Sequence, residues 1–540
     1  MRVTIIGGTG VFGSRLARML RKDGHTVTIA STRPQAARSF ADEIGAAVVQ
    51  FDRAQPTDHL FADKPDIIVD AAGPFQAYGE RPYRLAAAAI ENRVHYLDFS
   101  DDSTFCIGIA DLDSRARQAG VFALSGVSSV PALSSAVVGA LSNDMEDISR
   151  IDTAILPGNR APRGKSVMAA IMGQAGRPGG YFANGQPGTA PNWSNPKAFR
   201  LSDGTRRRAW QIEVPDSTLF GPFFSARNVT FRAGLELPIM NYSLWGLSAL
   251  RARIPIPVGP GFVSLAHWLA DRLQSLGTDT GGMVVNVTGH TAHRWTRATW
   301  SLLMTGGDGP FIPATPARAI INNPERVSPG ARPALCELPL HSFVDAMDGL
   351  NARITETRES LHPEFPKVLQ EEFHKLAPAV RASHQVYDTL TLDGTAQITT
   401  GRSLWARALR VLFRFPSATD ATPVRVVKTR TERGETWERR FGNQTFRSHL
   451  TARPDGMEER FGPFAFLLNL HAQGGALHFP VRSARFFGVP WPKRLLPGSD
   501  ASEREVAGEF EFDVKLTAPL TGALIVHYKG RLAPVAEKLP

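Results

Sequence analysis

Cysteine is scarce: among 540 residues only Cys106 and Cys336 carry thiols, far apart and without the close spacing of a zinc site or a disulfide framework. A reducing compartment is the expectation, and no metal site is in view. Apolar runs long enough to cross a bilayer are missing, and no basic-apolar signal segment precedes the first strand, so a cytoplasmic location is expected. Acid is in deficit, with 61 Lys and Arg against 51 Asp and Glu and a formal charge of +10. That excess is spread along the chain and accompanies no nucleic-acid motif. Anionic ligands or an anionic membrane surface fit it better than nucleic acid. What is plentiful is apolar: 43% hydrophobic and 21% charged residues describe a globular chain, long enough for two or three domains.

The most informative stretch opens the chain. An apolar run, Val3 to Ile6, meets Gly7-Gly8-Thr9-Gly10-Val11-Phe12-Gly13, and Leu16, Met19 and Leu20 then recur at helical spacing. Gly8, Gly10 and Gly13 fit G-x-G-x-x-G, a strand-turn-helix pattern in which glycine permits the turn, lets backbone approach a pyrophosphate, and lets helix pack on strand. Amide groups at the helix start then face the phosphates. A second strand, Thr26 to Ala30, completes a βαβ unit and ends in Ser31-Thr32-Arg33. An NAD site usually places an acid at this edge, and none is present. Thr32 and Arg33 suit a 2′-phosphate, which favours NADP while leaving NAD open; Arg33 as a solvated loop cation is the rival reading.

Further strands follow in order. Ala46 to Phe51 ends at Asp52, either an adenine-edge contact or a loop carboxylate. Asp66 to Ala72 is nearly all apolar, as a buried parallel strand should be, and runs into Gly73-Pro74-Phe75, a turn placed where such sheets bind ligands. An Ala-rich helix over 82–92, a strand over His95 to Ser100, and a strand over Val121 to Leu124 ending at Gly126 to Pro131 complete the first domain.

The glycine turn, Asp-Ala-Ala-Gly-Pro-Phe at 70–75, His-Tyr-Leu-Asp-Phe-Ser-Asp-Asp at 95–102, and Gly126 to Pro131 together resemble the saccharopine dehydrogenase-like NAD(P)-dependent reductases. Trp300 to Ile320, with its Gly-Asp-Gly-Pro turn, is similar to a later part of the same family. The resemblance implies a Rossmann domain followed by a catalytic and dimerisation domain on a mixed sheet, hence a homodimer. It also implies that the Gly73 loop and the Ser100 segment face the nicotinamide. The family includes saccharopine reductases and reductases of lipids or polyketides.

The fold expected is α/β: a Rossmann domain with a parallel sheet (1–140), a mixed α+β middle domain (141–350), and a β-rich antiparallel C-terminal domain (361–540). In the middle, Ile151 to Leu156 alternates as a strand, and Arg163-Gly164-Lys165 precedes a helix through Met172. Arg232 to Trp245 and Arg251 to Leu273, including Pro255, set Trp and Arg beside apolar residues. Either a membrane- or lipid-facing surface or ordinary core and subunit contact fits them. His290 and His293 flank a hairpin turn and read as exposed turn residues. Residues 325–365 read as a connector with one helix over 341–351.

In the last third, short alternating strands suggest an antiparallel sheet or partial barrel: Val424 to Glu432, Thr436 to Phe441, Thr445 to Arg453, Met457 to Phe461, Ala476 to Phe487 and Glu509 to Leu516. Glu438 to Gly442, Glu459 to Pro463, Phe487 to Pro490 and Gly508 to Val514 resemble a bacterial domain of unknown function often fused behind saccharopine-type reductases. Its Phe, Leu and Val either enclose an apolar ligand or fill a plain core.

The expected activity is NADP-dependent hydride transfer to or from a hydrophobic small molecule. A non-catalytic NADP-binding sensor or lipid-binding scaffold at a membrane surface is the alternative. Tyr78, Asp98, Ser100, Arg163 and Lys165 are candidates for substrate chemistry, but their spacing does not bring them together and the catalytic residues stay unassigned.

Overall fold

The computed structural model describes residues 1–535 except 54, 56, 163, 164, 255 and 432, and at 165–167 the backbone only. The chain divides into two compact units, Met1–Glu359 and Ser360–Lys538.

The first unit opens on a parallel sheet. Its strands are β1 (Arg2–Ile6), β2 (Thr26–Ser31), β3 (Ala47–Gln50), β4 (Ile67–Asp70), β5 (His95–Asp98) and β6 (Phe122–Ser125), with Gly330–Pro333 added beyond β6. Spatial order across the sheet is Gly330–Pro333, β6, β5, β4, β1, β2, β3, and every pair is parallel. The order reverses between β1 and β4, the place where such sheets hold ligands at their carboxyl edge. Helix α1 (Gly13–Lys22) buries Leu16, Met19 and Leu20 against Ile5, Val27 and Ile29.

A second, mixed sheet is built on Asp147–Leu156, which pairs parallel with Asn228–Ala233 and antiparallel with Gly281–His290. Ile151, Val285 and Trp300 from this sheet share one continuous core with Val3, Ile5, Leu97 and Phe122 from the first. A bidentate ion pair between Arg318 and Asp23, at 2.6 and 2.7 Å, ties the helix Thr315–Asn322 to the end of α1. Among the described residues the second unit holds an antiparallel sheet of thirteen strands around its own core.

Parallel first sheet, mixed second sheet and antiparallel third match the fold read from the sequence. Three details are corrected. Residues 325–365 are not a plain connector: Gly330–Pro333 extends the parallel sheet, and Ala352–Ser360 joins the edge of the mixed one. The first of these is short, ends in a proline and lies at an edge, where a missing N–H costs least. Ala476 to Phe487 is two strands, Ala476–His478 and Val481–Phe486, interrupted at Phe479-Pro480. Strands over 178–211, and Phe464–Leu468, Gly498–Val506 and Leu524–Pro534, add to those expected. Glu432, expected to end a strand, and Pro255 lie outside the described residues.

A close backbone contact lies at the start of α1. A Cβ on Gly13 would stand 2.4 Å from the Gly7 carbonyl oxygen, whereas one on Gly246, inside the helix Pro238–Arg251, meets nothing within 4 Å. Gly13→Ala is therefore expected to destabilise the first unit by about 1–3 kcal/mol. Gly246→Ala should stabilise it by about 0.5–1 kcal/mol. Urea unfolding of the two variants checks the contrast, and equal effects would contradict the crossing.

Candidate functional site

The carboxyl edge of the parallel sheet collects most of the residues expected to act. After β1 the chain turns at Gly7, whose φ of +71° is the left-handed conformation; the turn glycine is thus Gly7 rather than Gly8. A side chain there would meet Ala71 and Ala72 backbone at 2.9 Å, and one on Gly8 would meet the Ile29 side chain at 2.6 Å. Gly10 N–H donates to the Gly7 carbonyl at 2.8 Å, closing the turn. Thr9 and Gly10 are exposed, Val11 and Phe12 half-buried, Gly8 and Gly13 buried. Helix α1 begins at this turn with no side-chain cap and no acid in its first turn. Such a terminus presents amide donors and positive potential without a competing carboxylate.

Beyond β2, Thr32 and Arg33 are exposed, and the Arg33 amide donates to Ser31 Oγ at 3.1 Å. Arg33 sits at the start of the helix Pro34–Ile44. Asp52 is exposed beyond β3.

At the end of β4, Asp70 is fully buried and paired to Arg53 at 2.5 Å. Arg53 also donates to the Tyr78 hydroxyl at 2.9 Å and stacks on its ring at 3.7 Å. Burial works against the Arg53 charge, but the adjoining Asp70 outweighs it and holds the guanidinium protonated. Burial and the Asp70 charge push the Tyr78 phenol far up, so it keeps its proton. Gly73 is half-buried and Pro74 exposed. The buried Phe75 ring packs on Tyr78 and Phe105 at 4.9 and 5.0 Å, leaving its backbone rather than its ring to the edge. Gln76 donates to Asp101 at 3.3 Å, joining this loop to the one after β5.

Asp98, ending β5, is also fully buried. Its Oδ1 accepts from Ser100 N, Ser125 Oγ and Gly126 N at 3.0, 2.8 and 2.9 Å. Oδ2 has no partner among the described residues. Burial pushes this carboxyl up to about 7 against the pull of those three donors. Asp98 therefore ties the ends of β5 and β6 together, and Ser100 is buried beside it.

Sequence reasoning missed Arg53 and a further buried acid, Asp216. The latter lies in the first turn of the helix Pro215–Phe224, which packs on the helix Ser103–Gly108. Burial pushes Asp216 up to about 8, eased by the Ser134 hydroxyl, and neither carboxyl oxygen is well hydrogen-bonded among the described residues. Only Val-Pro before Asp216, a helix-start signal, marks it in sequence. Arg163 lies outside the described residues, and Lys165 begins the helix Lys165–Gln174. His290 lies 3.7 Å from Glu146 at the hairpin end.

The helices Pro238–Arg251 and Pro260–Arg272 expose Ile239, Tyr242, Trp245, Phe262, Leu265 and Trp268, so this aromatic-rich stretch is not ordinary core of the unit. Among the described residues no helix is long and apolar enough to cross a membrane.

The raised Asp98 carboxyl has a pH signature. Its contribution to stability is full below its ordinary value of 3.8 and is lost as pH rises through about 7. Asp98→Asn keeps the neutral shape and does not titrate. Its stability relative to wild type should rise between about pH 4 and pH 7, followed by chemical unfolding; a difference constant across that window would show that Asp98 does not titrate there.

Two family models match. Residues 3–124 match the saccharopine dehydrogenase NADP binding domain, and residues 376–532 match DUF4166, a domain of unknown function. Both resemblances read from the sequence are borne out. None of the curated proteins compared with the chain matches it. Among solved structures, apo saccharopine dehydrogenase (L-Glu forming) from Saccharomyces cerevisiae is similar at 12% identity and a TM-score of 0.49, over 66% of this chain and 99% of its own. GenD2 from gentamicin A biosynthesis, in complex with NAD, is similar at 14% identity and a TM-score of 0.32, over 66% and 96%. A probable dehydrogenase from Thermotoga maritima follows at 11% and 0.29, over 54% and 74%. Likenesses this distant say nothing about activity. The chain thus joins a domain that matches the saccharopine dehydrogenase NADP binding domain to one that matches DUF4166.

Proposed function

We propose that the first unit is an NADP-preferring oxidoreductase that moves hydride to or from a hydrophobic small molecule. The observation that carries this reading is the tight glycine turn at Gly7 to Gly13, where a Cβ on Gly7, Gly8 or Gly13 would clash, leading into an uncapped helix and flanked by Arg33 where an acid would favour NAD. Gly8, Thr9, Gly10, Val11, Phe12 and Gly13 hold the pyrophosphate through backbone amides. Thr32 and Arg33 hold the 2′-phosphate, Asp52 lies toward the adenine, and the backbone of Gly73, Pro74 and Phe75 lies beside the nicotinamide. Bound in this way, the dinucleotide supplies or accepts a hydride. Arg53, Asp70 and Tyr78 fix the Gly73 loop against the sheet edge, so the position of that backbone is set before a ligand arrives.

Titration with NADPH and NADH tests the reading. Arg33→Ala should weaken NADPH by about ten- to a hundredfold, the loss of charge-assisted hydrogen bonds, and leave NADH nearly unchanged. Gly10→Ala should weaken both. Equal loss of the two cofactors on removing Arg33 would take it out of the 2′-phosphate role, and no binding of either would sink the proposal.

A second reading, a lipid-binding scaffold at a membrane surface, is favoured by the apolar side chains exposed on the helices Pro238–Arg251 and Pro260–Arg272, whose last turns carry Arg251 and Arg272. It predicts flotation of the protein with anionic vesicles and loss of flotation in a Trp245→Ser, Trp268→Ser double variant. If the same face instead meets a second copy of the chain, as the expected homodimer would require, wild type sediments as a dimer without floating and the double variant as a monomer.

A further inference from the structure

We propose that the second unit is a binding module for a neutral, long-chain alcohol, held in the rolled antiparallel sheet with its hydroxyl at a buried polar floor. This inference is independent of the reductase reading. The sheet encloses a cavity of about 500 Å³, lined from strands as far apart in its order as Gly498–Val506 and Val481–Phe486. That volume falls among small-molecule sites, which run from roughly 300 to 1,000 Å³. Inward positions alternate along each strand: Val424 and Val426, then Phe441, then Phe464, Phe466 and Leu468, then Phe510, Phe512 and Val514. Most of the wall offers only dispersion and apolar contact.

The exceptions to that alternation are charged and gathered. Lys428, Arg439, Glu459 and Glu503 occupy inward positions and line the same cavity, together with His384. Lys428 is only 1% exposed. Its ammonium donates to the Ser383 carbonyl at 2.8 Å and lies 3.7 Å over the Trp437 ring. Arg439 pairs with Glu459 at 3.1 Å and donates to Ser448 at 2.8 Å. His384 Nε2 lies 2.9 Å from Glu503 Oε2, yet neither atom makes a well-aligned hydrogen bond among the described residues. Burial and the neighbouring Lys428 lower the His384 pKa, keeping the ring neutral, while burial of Glu503 is opposed by the Lys428 and Arg439 charges, which favour its ionised form. Burial brings Lys428 down to about 8, so it is still a cation at neutral pH.

These groups decide the head of the ligand. Two cations and two carboxylates line the cavity and cancel, so an anionic or cationic head would carry an uncompensated charge into a buried site. A hydroxyl completes what is present: its oxygen accepts from Lys428 and its O–H donates to Glu503. The direction of the tail follows from topology. Lys428 pairs with Leu390 at the start of the strand Thr389–Thr400, whereas the helix Leu404–Leu412 follows the far end of that strand. Trp405, Leu409 and Leu412 of this helix line the cavity, and Trp405 and Leu412 are also 47% and 62% exposed. The floor is closed and polar; the mouth is apolar and open to solvent.

The test uses the full chain and the neutral fluorescent probe N-phenyl-1-naphthylamine, displaced by decan-1-ol, decanoate or decylamine at neutral pH. Probe uptake is expected, with decanol displacing it at about tenfold lower concentration, or less, than either charged analogue. Ala501, an inward residue of the cavity wall, provides the site control. Ala501→Trp should abolish displaceable uptake, and Lys428→Met should erase the advantage of decanol. No uptake, or decanoate or decylamine displacing as well as decanol, overturns the proposal without any variant. Undiminished uptake by a folded Ala501→Trp protein overturns it too, because the probe would then lie elsewhere.

Discussion

The carboxyl edge of the parallel sheet depends on three backbone segments passing with no side chain between them. Gly7 turns left-handed against Ala71 and Ala72 at the end of β4, and Gly13 brings α1 onto the Gly7 carbonyl. A single Cβ at either glycine would meet backbone, which cannot swing aside as a side chain can. The crossing aims the first turn of α1 at the switch point between β1 and β4, and the same approach fixes where the Gly73 loop leaves the sheet. Sequence-local chemistry therefore sets a geometry that spans three segments of chain.

Around that edge, polar anchors at the ends of apolar strands hold the loops. Asp70 and Asp98 end adjacent strands and are equally buried, yet they are satisfied differently. Asp70 meets a guanidinium, so its charge is paired. Asp98 meets two amides and a hydroxyl, all on one oxygen, and burial raises its carboxyl. One anchor fastens a loop through charge; the other fastens two strand ends through hydrogen bonds and can take up a proton. A loop edge built in this way is stiff without a continuous hydrogen-bonded ladder.

The legible parts of the molecule were those whose cause is local. Val3 to Ile6, the glycines that follow and the all-apolar Ile67 to Val69 each carry their structural reason within a few residues, and the parallel sheet followed from them. Pairings made by tertiary structure were not legible. Arg53 lies in a polar loop with nothing to link it to Asp70, and Asp216 looks like a surface acid at a helix start until its burial is seen. Gly330 to Pro333 failed for another reason: four residues with glycine and proline resemble a turn, and only the free edge beside β6 makes them a strand. The exposed apolar helices Pro238–Arg251 and Pro260–Arg272 have the composition of a core, and exposure is a property of arrangement rather than of composition.

The same limit applies with more force to the second unit. A strand alternating Val-Arg-Val-Val-Lys can be written for a filled core or for the wall of a cavity, because period two states which side faces inward and not how far away the opposite wall lies. That distance is set by the radius at which a hydrogen-bonded sheet can roll, which is fixed by strand number and stagger rather than by side-chain volume. Large rigid aromatics then fill what they can reach. Where Lys428, Arg439, Glu459 and Glu503 take inward positions, the space cannot close on itself as an apolar core would, because each charge must keep its own partners. Polar residues on the inner face of an otherwise apolar sheet are therefore the informative departure from pattern: they keep the interior open and fix which end of a ligand belongs there.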